Sequence, residues 1–409
     1  MTLAQYAMLL IIAWQAYNLA RDGGMSIGEA SGQLALIGLL QFVPLFILTP
    51  FAGLAADRFD RRNVARLTVL LQLLCAVALG WLTWSEQIGL PALFAIAILL
   101  GIARGFAGPA LSALAPNLVP KAILPTAIAL SSIGWQVGMI GGPAMAPALY
   151  RLTPALPYAV AAALFLISLG ALSMIGKVPQ PAVRKDQRPI GQVLDGLSYV
   201  GKNKMVLGAI TLDLFAVFLA GATALLPVYA RDILQVGEEG LSLLAPAPAV
   251  GAALMAAIFS FRPIKTNVGP KMLWSVAVFG LATIIFGLST SMPLSLAMLF
   301  VIGAADMFSV YIRQSLIQLH TPDDKRGRVS SVSLLTISAS NEGGDFFSGT
   351  LAFLIGPVAA IVVGGAGAIA TVAIWSRIFP VLRTTKTFDP PEDLLEGDQT
   401  KQANNPQEA

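Results

Sequence analysis

The chain has 409 residues, 56% of them hydrophobic and only 12% charged. Soluble domains carry about 25% charged and about 45–50% apolar residues, so this excess, with a mean hydropathy of +0.75, specifies a polytopic membrane protein and excludes a large soluble core. The net charge of +4 would suit nucleic acid, but its distribution along the chain excludes that reading and reports membrane topology instead.

Runs of about 20 apolar residues predict twelve transmembrane helices, near 3–20, 33–56, 63–84, 91–118, 122–150, 154–176, 205–230, 240–261, 271–290, 293–319, 329–354 and 357–379. The first span begins at Thr2 with no basic flank, which leaves a truncated first helix open. It has no charged leading region and no small-residue cleavage site, so it is read as a span and not as a signal peptide. The one long polar interruption, "KVPQPAVRKDQRPIGQVLDGLSYVGKNK", divides the spans six and six. The expected organisation is an N-terminal half (1–176), a cytoplasmic linker (177–204), a C-terminal half (205–380) and a cytoplasmic tail (381–409). From Asp389 onward that tail is acidic, rich in Gln and Asn, and expected to be disordered.

Orientation follows from Lys and Arg. With both ends cytoplasmic, the inner loops and tail hold 21 of the 26 basic residues, and the outer loops hold three: Arg21, Arg151 and Arg231. The remaining two, Arg104 and Arg313, lie inside spans.

The halves repeat. Shifting the chain by 202 positions sets Pro44 on Pro246, Pro120 on Pro322, and Gly141–Gly142 on Gly343–Gly344. "ARD" at Ala20 recurs at Ala230, each copy at the outer end of its half's first span. Six-span repeats are a transporter signature and put the substrate site at the midplane between the halves.

Between spans 2 and 3 stands "GLAADRFDRR", Gly53 to Arg62. A positive-inside loop accounts for Arg61 and Arg62 but not for the ordered Gly53, Asp57 and Arg58. The stretch fits G-x-x-x-D-R-x-[GD]-R-R and resembles the loop between helices 2 and 3 of the major facilitator superfamily. "GFAGPALSALAPNLVP", "LDLFAVFLAGATALLPVYARDIL", "APAVGAALM", "GAADMFSVYIRQSLIQLHTPDDKRGRVSSV" and "SNEGGDFFSG" extend the resemblance to its enterobactin-exporter-like (transmembrane secretion effector) branch. The resemblance implies twelve helices in two pseudo-symmetric halves, and proton-linked export of siderophore-like or drug-like molecules. It also implies a cytoplasmic latch, in which Asp57 docks at the N-terminus of helix 11 near Ser330 and Ser331, where the helix dipole favours an anion. Relatives often carry a second acid where Phe347 stands; this chain has Asp345 alone there. Exporters of the superfamily often carry a helix 5 glycine motif, matched here by Gly138, Gly142 and Pro143, with Ala146 and Pro147 replacing its final glycines. Small residues also serve as helix-packing faces.

Ionisable groups within a span are costly and mark functional sites. Here they are Arg104, Asp213, Asp306, Arg313, Glu342 and Asp345. Structural ion pairs are the competing explanation for each. Asp306, Glu342 and Asp345 lie at similar central depth and are the candidates for proton coupling. Arg104 and Asp306 coincide at the 202-residue offset, so pseudo-symmetry places them on opposite sides of one cavity, where they are the candidate substrate residues. Asp213 and Arg313, at similar depth, are expected to form an ion pair. His320 reads as an interfacial residue.

One Cys, Cys75, excludes an internal disulfide, and with one His it offers no metal cluster. No nucleophile–base constellation appears, so neither enzyme activity nor a cofactor other than the proton gradient is expected. The reading is a monomeric antiporter in a cytoplasmic (inner) membrane, with small molecules, protons and lipid as its partners. The alternatives are an uptake permease on the same fold and a non-transporting sensor or assembly factor.

Overall fold

The computed structural model describes residues 1–114, 118, 120, 123–176 and 189–389; at 49–50, 52–58, 109, 112–113, 125, 129, 189–194 and 323–324 it describes the backbone alone. Among these residues the long helices are α1 (Thr2–Asp22), α2 (Ile27–Arg58), α3 (Arg61–Trp84), α4 (Leu90–Leu114), α5 (Leu124–Leu152) and α6 (Leu156–Met174) in the first half. The second half contains α7 (Lys204–Ile233), α8 (Gly237–Phe261), α9 (Val268–Leu288), α10 (Met292–Leu319), α11 (Asp323–Ile355) and α12 (Pro357–Ile378). No strand occurs among the described residues, and nine of these helices are long and apolar enough to cross a membrane. The fold is therefore an all-helical, twelve-helix membrane architecture. Part of the polar stretch between the halves is helical as well, over Pro189–Lys202.

Local chemistry sets the helix starts. Asp60 precedes α3 and accepts from the Arg62 backbone N–H at 3.0 Å. Asn203 precedes α7 and accepts from the backbone N–H groups of Met205 and Val206, both at 3.1 Å. Each cap satisfies donors that have no partner within the helix.

The sequence repeat is visible in the packing. A Cβ on Gly101 of α4 would lie 2.4 Å from the Gln41 carbonyl of α2. At the corresponding place in the second half, a Cβ on Gly303 of α10 would lie 1.8 Å from the Pro248 carbonyl of α8. Only glycine lets these backbones approach so closely. The helix 5 glycines make another seam within the first half. Cβ atoms on Gly138 and Gly142 would fall 2.7 Å from Thr2 and 2.6 Å from the Leu3 carbonyl, both on α1.

Two helices are interrupted. α8 breaks before Ala247, where Pro246 supplies no N–H. α7 leaves α-geometry at Ala220, continues as a 3₁₀ turn over Ala222–Leu225 and ends in a π turn over Tyr229–Ile233. Irregular backbone at membrane depth is tolerated where it lines a cavity, and Ala220 to Ala224 do so.

Candidate functional site

The two halves enclose a cavity of about 440 Å³. α1, α2 and α4 supply one wall; α7, α8, α9, α10 and α11 supply the other. Arg104, Asp306, Glu342 and Asp345 all line it, together with the polar Gln41, Asn341 and Tyr6.

Arg104 of α4 reaches across the cavity. Its Nη2 donates to Glu342 Oε1 of α11 at 2.7 Å, and its Nη1 donates to Gln41 Oε1 of α2 at 3.3 Å. The Arg104 guanidinium is thus held by Glu342, and not by the pseudo-symmetric Asp306. Sequence symmetry located both residues but could not name the partner, because the pairing depends on how α11 crosses the opposite half. Asp306 and Asp345 line the same cavity, half-buried, with neither a hydrogen bond nor an ion pair among the described residues. Phe347, two positions beyond Asp345, is filled with apolar packing: its ring lies 5.2 Å from that of Phe218.

Behind the cavity wall, Asp213 of α7 and Arg313 of α10 form an ion pair. Their side chains are 8% and 3% exposed. Asp213 and Asp306 border one small void with Ser309, so Asp306 stands between the cavity and the buried pair.

One end of the cavity is sealed by contacts between the halves. α2 packs along α11 there, and a Cβ on Gly349 would lie 2.7 Å from the Ala35 side chain. At the same end the two "ARD" triplets grip each other. Arg21 Nη2 donates to Asp232 Oδ1 at 2.8 Å, and Arg231 Nη2 donates to Asp22 Oδ1 at 2.5 Å. The Tyr17 hydroxyl adds a 2.5 Å bond to Asp232 Oδ2, and Arg231 also reaches Asn18 Oδ1 at 2.7 Å. Arg151 of α5 meets Glu239 of α8 at 2.9 Å nearby. The triplet repeat was legible in the sequence as a sign of duplication; its reciprocity was not, because residues 211 apart are brought together only by the docking of the halves.

The opposite end carries the α2–α3 loop and its arginines. α5 stands clear there: Ser131, Ser132, Ile133, Gly134 and Trp135 are consecutive and all exposed. Five consecutive positions cover more than one helical turn, so this stretch is not enclosed by other helices; its one ring contact among the described residues is that of Trp135, edge-on with Tyr6 of α1, with centroids 5.9 Å apart. Farther along, α5 touches α8, where Gln136 Nε2 donates to the Ala249 carbonyl at 3.4 Å. Among the described residues, the cavity is clasped at one end by the ARD contacts, and at the basic end α5 is exposed from Ser131 to Trp135.

Within the α2–α3 motif, Arg62 donates to Asp60 Oδ2 at 2.5 Å and to the Ile175 carbonyl at 3.0 Å. Arg66 caps the same end of α6 through the Leu172 carbonyl at 2.9 Å. The Arg62 guanidinium holds the Asp60 carboxyl below the usual carboxylate range. These basic residues therefore fasten α3 to α6. Arg61 is partnered as well, while the side chains of Asp57 and Arg58, and the surroundings of Gly53, lie outside the described residues.

Residues 2–341 match the Major Facilitator Superfamily. The multidrug efflux pump Tap of Mycobacterium tuberculosis is 24% identical over 354 residues, 83% of this chain and 82% of that protein. The enterobactin exporter EntS of Citrobacter koseri is 26% identical over 342 residues, covering 82% and 79%. Among solved structures, a bacterial homologue of the human lysosomal transporter Spinster, inward-facing and occupied, superposes with a TM-score of 0.71 at 16% identity over 94% of this chain and 96% of that one. A D-xylose–proton symporter gives a TM-score of 0.71 at 12% identity, covering 94% and 97%; at these identities both speak for the fold alone. A match over most of the length, on a twelve-helix frame with a charged cavity between its halves, settles the family: this chain is a transporter of the major facilitator superfamily.

Proposed function

We propose that the protein exports small organic molecules across the cytoplasmic membrane by proton antiport, using alternating access. The observation that carries this reading is the central cavity between the halves, which two carboxylates without partners among the described residues, Asp306 and Asp345, line. A carboxylate in a low-dielectric site is the natural group to bind and release a proton. Asp345 is the first candidate for coupling and Asp306 the second, whereas Glu342 is engaged by Arg104.

The positive-inside rule assigns the basic end, and both chain termini, to the cytoplasm. On that orientation the reciprocal ARD contacts are the closed outer gate. The six-helix halves at 1–176 and 205–380 rock about the cavity, joined through 177–204, within a monomer. Export is favoured over uptake by the relatives' names, a multidrug efflux pump and an enterobactin exporter, and by the resemblance of Gly138, Gly142 and Pro143 to the helix 5 motif of exporters.

The test is purified protein in proteoliposomes with an imposed pH gradient. Substrate should drive proton movement opposite to its own, and Asp345→Asn should abolish that movement while leaving substrate binding measurable. Substrate and protons moving together would establish uptake symport instead.

A further inference from the structure

Among the described residues, every positive charge lining the cavity already has a partner. Among the described residues the cavity holds one guanidinium, Arg104, and it is bound by Glu342 and Gln41. The second intramembrane guanidinium, Arg313, is taken by Asp213 behind the wall. Two carboxylates, Asp306 and Asp345, are left over, on different helices of the second half. An unpaired carboxylate in low dielectric either holds a proton or meets a counter-charge, so a cation and a proton compete for it. The same space presents two aromatic rings, Tyr6 from α1 and Phe279 from α9, whose faces attract cations. Phe279 also borders the small void beside Asp306, so an aromatic ring and a carboxylate lie on one side of the site.

We infer that the transported substrates are lipophilic organic cations, seated with their positive charge against Asp306 and an aromatic face against Phe279. The inference rests on the export reading above and deepens it by naming the substrate class. It separates this chain from a carrier of anions. For an anion the only guanidinium in reach among the described residues is Arg104, and freeing it would leave Glu342 as a third unpaired carboxylate in the same cavity. Cationic cargo instead meets two carboxylates that need compensation and disturbs no existing pair. The cavity, at about 440 Å³, is of the size that encloses a drug-sized molecule.

The experiment is equilibrium binding to the purified full-length protein with no pH gradient, so it does not depend on transport or its direction. The probes are tetraphenylphosphonium and tetraphenylborate, which share shape and hydrophobicity and differ in the sign of their charge, with ethidium as a second, planar cation. Specific binding is taken as the part displaced by excess unlabelled ion. The expected result is saturable binding of both cations, at least about tenfold tighter than tetraphenylborate. Asp306→Asn should weaken the cations by about tenfold and leave the borate unchanged or tighter, and Asp306→Glu should retain cation binding and so show that the site is still folded. Equal or tighter binding of tetraphenylborate, binding of neither cation, or cation binding unaffected by Asp306→Asn would each overturn the inference. Cation binding without any proton-linked flux would leave it standing and refute the antiport reading instead.

Discussion

Arg21 and Asp232 stand 211 residues apart, yet they meet through three hydrogen bonds in which Arg21 Nη2 and Nε donate to the two Asp232 oxygens. The reverse pair, Arg231 with Asp22, closes the same end of the molecule. The two contacts differ in exposure: the Asp232 side chain is 13% exposed and that of Asp22 is 68% exposed. Burial decides which one matters. Hydrogen bonds to charged groups contribute about 1.5–3 kcal/mol, whereas an exposed ion pair contributes about 0.2–1 kcal/mol. Asp232→Asn is therefore expected to shift the gate toward its open state by about tenfold or more, and Asp22→Asn by no more than about fivefold. Cysteines placed at the ends of α1 and α7, after replacing Cys75 and labelled with an impermeant thiol reagent, report the shift. Equal labelling of both variants and the parent would show that these contacts do not hold the gate.

The Asp213–Arg313 pair is predicted to act as one unit. Removing a single partner leaves an uncompensated buried charge and costs about 3–5 kcal/mol. Asp213→Ala and Arg313→Ala should each lower thermal stability in detergent, and the double variant should lose much less than the two single losses combined. Additive losses would mean that the two side chains are satisfied separately.

The α1–α5 seam makes a contrast between two glycines of one helix. A Cβ on Gly142 meets the Leu3 carbonyl at 2.6 Å and the Ala7 nitrogen at 2.8 Å, while one on Gly134 meets nothing within 4 Å. Gly142→Ala should cost about 1–3 kcal/mol through overpacking. Gly134→Ala should be neutral or gain about 0.5–1 kcal/mol from helix propensity. Melting temperatures of the two variants in the same detergent compare them directly, and a Gly142→Ala protein as stable as the parent would contradict the seam.

His320 ends α10, with its carbonyl accepting from the Tyr199 hydroxyl at 3.1 Å and its Nε2 buried without a hydrogen-bond partner among the described residues. Burial lowers its pKa from the ordinary value of about 6.5. Below that value the unfolded chain takes up a proton more readily than the folded one, so stability is complete above about pH 6.5 and is lost as pH falls through it. Thermal melts between about pH 7 and 5 should decline in the parent and flatten in His320→Gln. An unchanged slope in the variant would assign the pH dependence to other groups.

Asp57 is proposed as the cytoplasmic latch on its spacing from Gly53 and Arg58. Asp57→Asn should insert and fold normally while transport falls about tenfold, equivalent to about 1.4 kcal/mol of lost preference for the closed cytoplasmic side. Normal transport by a well-expressed variant would leave the motif with only its fastening role through Asp60, Arg62 and Arg66.

The twelve helices, the family and the transporter class were legible in the chain alone, because hydropathy over about 20 residues and short motifs are local properties. The loop "GLAADRFDRR" and the duplicated prolines and glycines needed no tertiary information to be recognised. The charges in the spans could be listed but not fully matched. Arg104 aligns with Asp306 in the repeat, yet its ion pair is with Glu342, since side-chain partners follow from the way α11 lies across the opposite half. The breaks in α7 were hidden for a similar reason: Ala220 and Gly221 read as one apolar run, and the departure from helix arises where α7 meets Gly344 of α11, with a Gly221 Cβ 2.8 Å from the Gly344 carbonyl. Which end is closed was decided by tertiary structure alone. The same ARD triplets exist in every conformation of the chain, and only the docking of the two halves brings Arg21 to Asp232 and Arg231 to Asp22.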